Sequence, residues 1–396
     1  MEKRVIKILF IIVALLIFTL PLNMWLQWHF SDQREMKIFI LDKTVINQNV
    51  QEHVSFNWVL NYNRYVKENK AFYIPNEDYY GFFPDGNGAY STKDLKQDTE
   101  EDLNTLADEY DMVYYTDLYG IYALDWHNEY PQLKPNQPLG KVGEYSPLIY
   151  GGLTKNELGL LKKMKSRKKL IINEFNIIAS PTSKKLRTEY EKEFKVNWTG
   201  WVGRHFENLD TTINKDLPIW LIRNYKKQNN NEWPFKESGI AFVNNSAKVV
   251  ILENETHLKI KYPIIKTPKK TAEYYGIAPI INFTYWFDIC TTDSSNQVLS
   301  NYFIETNSKG DSIMNKWKIP KKFPAVIKRK KDYPYYYFAG DFADNLISMK
   351  TSKYKYIDEI NYLYKDSSSK QKRSFFWRYY NPLLSKILDD YYKILK

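Results

Sequence analysis

Two segments separated by one short helix constrain the fold more than any other part of the chain: SPLIYGGLTKNE at 146–157 and KKLIINEFNIIASPT at 168–182. An apolar run enters a Gly-Gly turn, a helix follows, and a second apolar run ends in polar residues. Thr154 and Glu157 have the spacing of a capping box, in which hydroxyl and carboxylate satisfy backbone donors reciprocally. Leu158, Leu161 and Met164 fall on one side of the helix and lysines on the other, so it is expected to pack on a sheet and face water. Strands apolar on both faces are those of a parallel sheet covered by helices. Ligands of such sheets sit outside the carboxyl ends of the strands. That rule places Gly151, Gly152, Glu174 and Asn176 where chemistry or binding is expected.

The same reading extends in both directions. MKIFILDKTV at 36–45 is a buried strand ending in Asp42, and a helical pattern follows with Val54, Trp58, Tyr62 and Tyr65 at three- and four-residue spacing. DMVYYTDLYGIY at 111–122 is another strand, its polar end carrying Thr116, Asp117 and Tyr119. Asp42, Asp117 and Glu174 are therefore the candidate catalytic carboxylates, able to serve as acid and base or to hold a sugar. VNWTGWVGRHF at 196–206 adds Trp201, Arg204 and His205 as candidate ligand-binding residues, since Arg fixes anions and His exchanges a proton near neutral pH. A helix is expected at 218–225, and strands at 239–244 and 248–253 are joined by a hairpin signal. Beyond 267 the strand-like runs 281–289, 298–304 and 335–339 are less regular, the last followed by GDFADN at 340–345. Loops are expected at 131–138 and 366–372, and a final helix at 375–395 interrupted by Pro382.

The amino-terminal segment 1–30 reads as an uncleaved signal anchor, a transmembrane helix. Lys3, Arg4 and Lys7 precede an apolar run at 8–20, Pro21, Leu22 and a Met-Trp-Leu group extend it to the ~20 residues that a bilayer core requires, and Trp25 and Trp28 have the look of an interfacial belt. With basic residues on its amino side, the remainder is expected outside the cytoplasm, single-pass in a bacterial cytoplasmic membrane, periplasmic or extracellular.

The totals remove several functions. A net charge of +11, from 57 basic and 46 acidic residues, is carried by short basic runs without a nucleic-acid motif, so no nucleic-acid partner is expected. One cysteine, Cys290, cannot make an intramolecular disulfide. The five histidines form no pair with metal-ligand spacing, and neither a Gly-x-Ser-x-Gly elbow nor a P-loop occurs, so no metal and no cofactor are expected. Aromatic residues make up 16% of the chain, enough to fill a core or to line a carbohydrate groove.

The run IYGGL at 149–153 followed by LIINEFN at 170–176 is similar to the class I glutamine amidotransferase-like (flavodoxin-like) fold, whose members pass from an apolar strand through Gly-Gly and a helix to a strand ending in a nucleophile elbow. The resemblance covers about residues 36–260. Glu174, Phe175 and Asn176 stand where that family has its cysteine-centred elbow, so the resemblance implies a fold and argues against glutaminase chemistry. The expected architecture is thus α/β: an anchor at 1–30, a mainly parallel, helix-flanked sheet at 36–265, and a β-rich extension at 266–396 ending in a helix. The expected function is a membrane-anchored, extracytoplasmic envelope protein that binds a carbohydrate or other envelope ligand in the strand-end crevice. The alternatives are a carboxylate hydrolase of surface polysaccharide and a structural partner of a polysaccharide synthesis or export machine.

Overall fold

Four short runs, IFILD, MVYY, LIIN and YYYF, are buried at every position, so no face of theirs meets water and they form the middle of a sheet. They belong to a computed structural model that describes residues 2–134, 139, 146–362 and 371–396. The strands of its two large sheets are β1 (Ile38–Asp42), β2 (Tyr80–Pro84), β3 (Tyr90–Lys93), β4 (Met112–Tyr115), β5 (Leu170–Asn173), β6 (Val196–Phe206), β7 (Gly239–Asn244), β8 (Val249–Glu253), β9 (Ile264–Lys266), β10 (Ile280–Asn282), β11 (Trp286–Thr292), β12 (Asn296–Phe303), β13 (Lys322–Arg329) and β14 (Tyr335–Phe338). The helices that matter below are α1 (Glu2–His29), α2 (Gln51–Tyr62), α3 (Glu100–Glu109), α4 (Lys155–Ser166), α5 (Lys184–Phe194), α6 (Ile219–Gln228) and α7 (Asn381–Leu395).

Ten strands form one sheet in the order β10-β9-β12-β13-β14-β5-β4-β1-β2-β3. Its central pairs, β14-β5, β5-β4, β4-β1 and β1-β2, are parallel. The other five pairs are antiparallel. A second sheet, β8-β7-β6-β11, is antiparallel throughout. The chain leaves β1 towards β2 on one side, then returns to place β4 on the other. The carboxyl ends of β1 and β4 therefore flank a topological switch point, the position at which α/β sheets leave a crevice.

This arrangement corrects the expected fold. The molecule is α/β, but its sheets are mixed and antiparallel rather than mainly parallel, and the carboxyl-terminal strands do not form an extension. β14 pairs in parallel with β5, Tyr335 opposite Ile171, and so completes the centre of the sheet. The transmembrane helix is corrected as well: among the described residues no helix is long and apolar enough to cross a membrane. The carboxyl-terminal turns of α1 are seated on protein. Met24 and Trp28 are buried, the Trp28 Nε1–H donates to the Asn61 carbonyl (3.1 Å), and the Arg64 guanidinium lies 4.7 Å from the Trp28 ring. Trp28 is thus a packing residue in place of an interfacial one.

Local expectations at 154–166 appear in the structure as written. Thr154 and Glu157 form the capping box of α4, and Leu158, Leu161 and Met164 are buried. Glu157 does more than cap, because Lys43 reaches it at 2.6 Å with both side chains buried and also donates to the Gly152 carbonyl (2.8 Å). The Gly-Gly turn is thereby stitched to the end of β1. β7 and β8 form the expected hairpin and α6 the expected helix, while Pro382 lies where helical backbone at 371–380 passes through a widened turn into α7, and the Arg378 carbonyl that its missing N–H leaves free accepts from the Ala278 N–H (2.8 Å). The loop expected at 131–138 lies partly, and that at 366–372 largely, outside the described residues.

Candidate functional site

The carboxyl ends of β1, β4, β5 and β14 face β6, β7 and β11 of the second sheet across a cavity of about 1040 Å³. The sheet ends contribute Thr44, Asp117, Phe175, Asn176, Asp341 and Asp344 to its wall, and the first turn of α2 contributes Gln51 and Glu52. The opposite wall is Trp198, Val202, Arg204, Val243 and Trp286, with Trp220 and Arg223 from α6. Tyr119, Tyr122 and Asp125 close one side. A smaller cavity of about 530 Å³ lies beyond the end of α1, lined by Arg34, Lys355 and Lys393 among others. Arg34 and Lys393 are both already paired with Asp389, so the strand-end cavity holds the uncommitted groups.

Four carboxylates, Glu52, Asp117, Asp341 and Asp344, share the sheet-end wall. Asp117 lies well above the usual carboxylate range because it is buried, with the charge of Asp42 raising it further, against the pull of the Tyr119 N–H that donates to its Oδ1 (2.7 Å). Burial also raises Asp341, and the negative charges of Asp344 and Asp117 raise it further. Among the described residues no hydrogen bond reaches the Asp341 carboxylate, while Asp344 accepts one from the Gln51 amide. Glu52 is held up by burial and then by Asp42 and Asp344. Asp125, on the side wall, is pushed up to about 6 by burial. Carboxyl groups that hold their protons to a higher pH than a free carboxylate, beside one that accepts from a donor, make a wall that can both give and take a proton. Among the described residues no group of three or more His, Cys, Asp or Glu side chains is arranged to hold a metal ion.

Of the residues expected from sequence, Asp117, Tyr119, Asn176 and Arg204 line this cavity. Asn176 adopts a left-handed backbone (φ 67°), which asparagine tolerates, and its N–H donates to the buried Asp288 carboxylate (3.1 Å). Asp42 sits at the switch point but turns away, bonding the Thr44 N–H (2.9 Å) and His53 Nδ1 (2.6 Å) and so fixing the end of β1 against α2. His53 is held from its other nitrogen by the Pro75 carbonyl (2.8 Å). Gly151 and Gly152 are outside the cavity wall. A Cβ on Gly151 would come within 2.7 Å of the Tyr119 carbonyl, so that glycine serves the close approach of two backbones.

Strand parity separates the β6 candidates. Arg204 faces the cavity, so its neighbour His205 faces the other way. His205 is buried beneath Tyr262 (4.6 Å between rings) and pushed down to about 3 by burial, with Lys261 and Arg204 adding to the effect. Trp201 is buried against Trp317. Trp198 shares the parity of Val202 and Arg204 and faces the cavity with them, since the register shift between Trp198 and Trp201, with Gly200 at φ 93°, inserts two residues and leaves the alternation unchanged.

Glu174 occupies the end of β5 but not the cavity. It is buried, accepts from the Tyr114 hydroxyl and the Ala343 N–H (3.0 Å), and connects through Tyr114 to Tyr380 (2.7 Å). Burial lifts it to about 8, against the pull of those donors. A carboxyl group raised in the folded state keeps its stabilising protonated form at low pH and destabilises as pH rises from the unfolded value through the folded one. Glu174→Gln is therefore expected to remove a decline on the order of 4 kcal/mol between pH 5 and 9 that the wild type shows. Urea unfolding of both proteins at the two pH values checks this; equal slopes would show that Glu174 is ionised in the folded chain.

Sequence reasoning did not single out Glu52, Asp125, Asp341, Asp344, Trp220, Arg223 or Trp286. For Asp341 and Asp344 a signal exists, the GDFADN motif directly after an apolar run, the same strand-end pattern that pointed to Asp117. No protein-family model matches the chain, and a search of curated proteins finds no match.

Proposed function

We propose that the chain binds a carbohydrate in the strand-end cavity and cleaves it by carboxylate acid-base chemistry. The observation that supports this reading is the gathering of Glu52, Asp117, Asp341 and Asp344 on one wall of a cavity whose other walls carry Trp198, Trp220, Trp286, Tyr119 and Tyr122. Trp220 and Trp286 are nearly parallel, 6.3 Å apart and 20° inclined, and offer flat apolar faces to sugar rings. A cavity of this size holds a few sugar units, which fits a polymer of the cell surface better than a small metabolite. In this reading α1 rests on a lipid surface: Val5, Leu9, Phe10, Val13 and Ile17 are exposed along it and Arg4 and Lys7 lie at its start, a combination suited to lipid. A deep cavity is not what a purely structural partner of an assembly machine requires.

A panel of envelope glycans tests the proposal, with binding read by calorimetry and cleavage by release of reducing ends. Trp220→Ala is expected to weaken binding about tenfold by removing a stacking face. Binding with no turnover of any glycan would reduce the function to recognition, and absence of binding across the panel would refute it.

A further inference from the structure

We propose that the saccharide taken by this cavity is acidic, with the carboxylate of a uronic acid residue held by Arg204 and Arg223. The inference rests on the carbohydrate reading above and names the class of sugar. Both arginines line the cavity. Neither forms an ion pair or hydrogen bond with any described residue, and the buried Nε of Arg204 has no partner. Several other arginines hold at least one partner through the guanidinium: Arg34 has Asp389, Arg167 has Asp108, Arg187 has two backbone carbonyls and Arg329 has Asp332, although the Nε of Arg329 is also unpartnered. The contrast is sharpened by location, since this cavity is where the acidic side chains cluster, yet none of them reaches Arg204 or Arg223.

Arg204 is held in place by aromatic faces. Its guanidinium carbon lies 4.8 Å from the Phe206 ring and 5.8 Å from that of Trp286, the ring that also stacks on Trp220. A sugar resting on the Trp286 and Trp220 side of the cavity would thus meet a guanidinium in the same region. A planar guanidinium offers paired N–H donors that match a carboxylate, and desolvated surroundings strengthen such a bond. Among the described residues the sheet-end wall offers an anion no cationic side chain, so an acidic sugar unit is directed to the arginine side and its neighbour in the polymer is presented to Asp117, Asp341 and Asp344. Charge separation across the cavity would set the direction in which the polymer lies.

The test compares an oligouronide with its carboxyl-reduced counterpart of equal length, using the full chain in detergent micelles and calorimetry. The acidic oligomer is expected to bind about 10- to 100-fold more tightly than the reduced one, a difference that needs no variant to be seen. Arg204→Ala with Arg223→Ala is expected to abolish that preference, and Arg204→Lys, which keeps charge but not the fork, to restore only part of it. Equal binding of the acidic and reduced oligomers by the wild type would overturn the acidic assignment while leaving the carbohydrate reading intact. Stronger binding of a sulfated than of a uronic oligomer would overturn the carboxylate assignment. Binding of no oligomer of either kind would remove both readings together.

Discussion

Asp341→Asn is expected to lower the turnover of a glycan substrate by about 10²- to 10⁴-fold while changing its affinity little, the effect of deleting a general acid. Asp341 is placed by its own backbone: β14 ends at Phe338, and the Asp341 N–H donates to the Trp286 carbonyl (2.9 Å), tying the strand end to β11 across the cavity. The carboxylate is buried, bonded to no described residue, and surrounded by the charges of Asp344, Asp117, Glu174 and Glu52. Burial and these neighbours favour the neutral acid, so at neutral pH the side chain carries the proton that a leaving glycosidic oxygen needs. The sign for the rate follows. Wild-type turnover falls on the alkaline side as Asp341 ionises, and the variant loses that limb. Asp344 accepts from Gln51 on the same wall, and Asp344→Asn is expected to lower turnover comparably. A pH-rate profile of Asp341→Asn that matches the wild type in height and shape would remove Asp341 from the chemistry.

Gly81→Ala is expected to cost at least ~3 kcal/mol, a large part of the ~5–15 kcal/mol that holds a typical domain folded. Gly81 lies opposite Asp42 in the parallel β1-β2 pair, at φ 137°. A methyl group there would stand 1.5 Å from the Asp42 carbonyl oxygen and 2.6 Å from its carbon. Backbone cannot yield as a flexible side chain does, so β2 must lift from β1, and the left-handed φ adds strain of its own. The damage reaches the cavity because the Asp42 carboxylate holds the N–H of Thr44, two residues on, and steadies α2 through His53. Folded protein that survives the substitution should therefore bind ligand more weakly as well. Urea unfolding measures the first effect and calorimetry the second; a stability change under about 1 kcal/mol would mean that the strand pair is looser than its register indicates.

Much of the site was legible in the chain because its logic is local. Asp117 and Asn176 follow buried strands, and strand ends are where open sheets bind ligands. Asp341 and Asp344 obey the same rule, but their strand had the appearance of part of a separate extension, since only its pairing with β5 makes it central. Side-chain direction was the second obstacle. Glu174 and Asp42 stand at strand ends yet turn into protein, and each found donors there that no sequence pattern announces. On β6 the alternation of the strand decides: Trp198, Val202 and Arg204 share the cavity face, and Trp201 and His205 lie on the other. The amidotransferase-like resemblance rests on IYGGL and LIINEFN read as one β-α-β unit, but Leu148–Tyr150 pairs antiparallel with Ile121–Tyr122 in a separate two-stranded sheet, so the two runs are not strands of one parallel sheet.

What the amino-acid sequence by itself determined is what one or two turns of chain can encode: the buried runs of β1, β4 and β5, the Thr154 and Glu157 cap of α4, the hairpin of β7 and β8, and a polar residue at the end of each central strand. What only the tertiary structure decided is which strands are neighbours. Residues 171 and 335 meet, as do 201 and 289, and these contacts between distant segments bring Asp341, Trp286 and Arg204 to one cavity. Hydrophobic periodicity records whether a strand is buried, and carries no record of its partner. Partners are selected by the packing of the whole core, which is why the acidic wall was partly visible beforehand and the aromatic and basic wall opposite it was not.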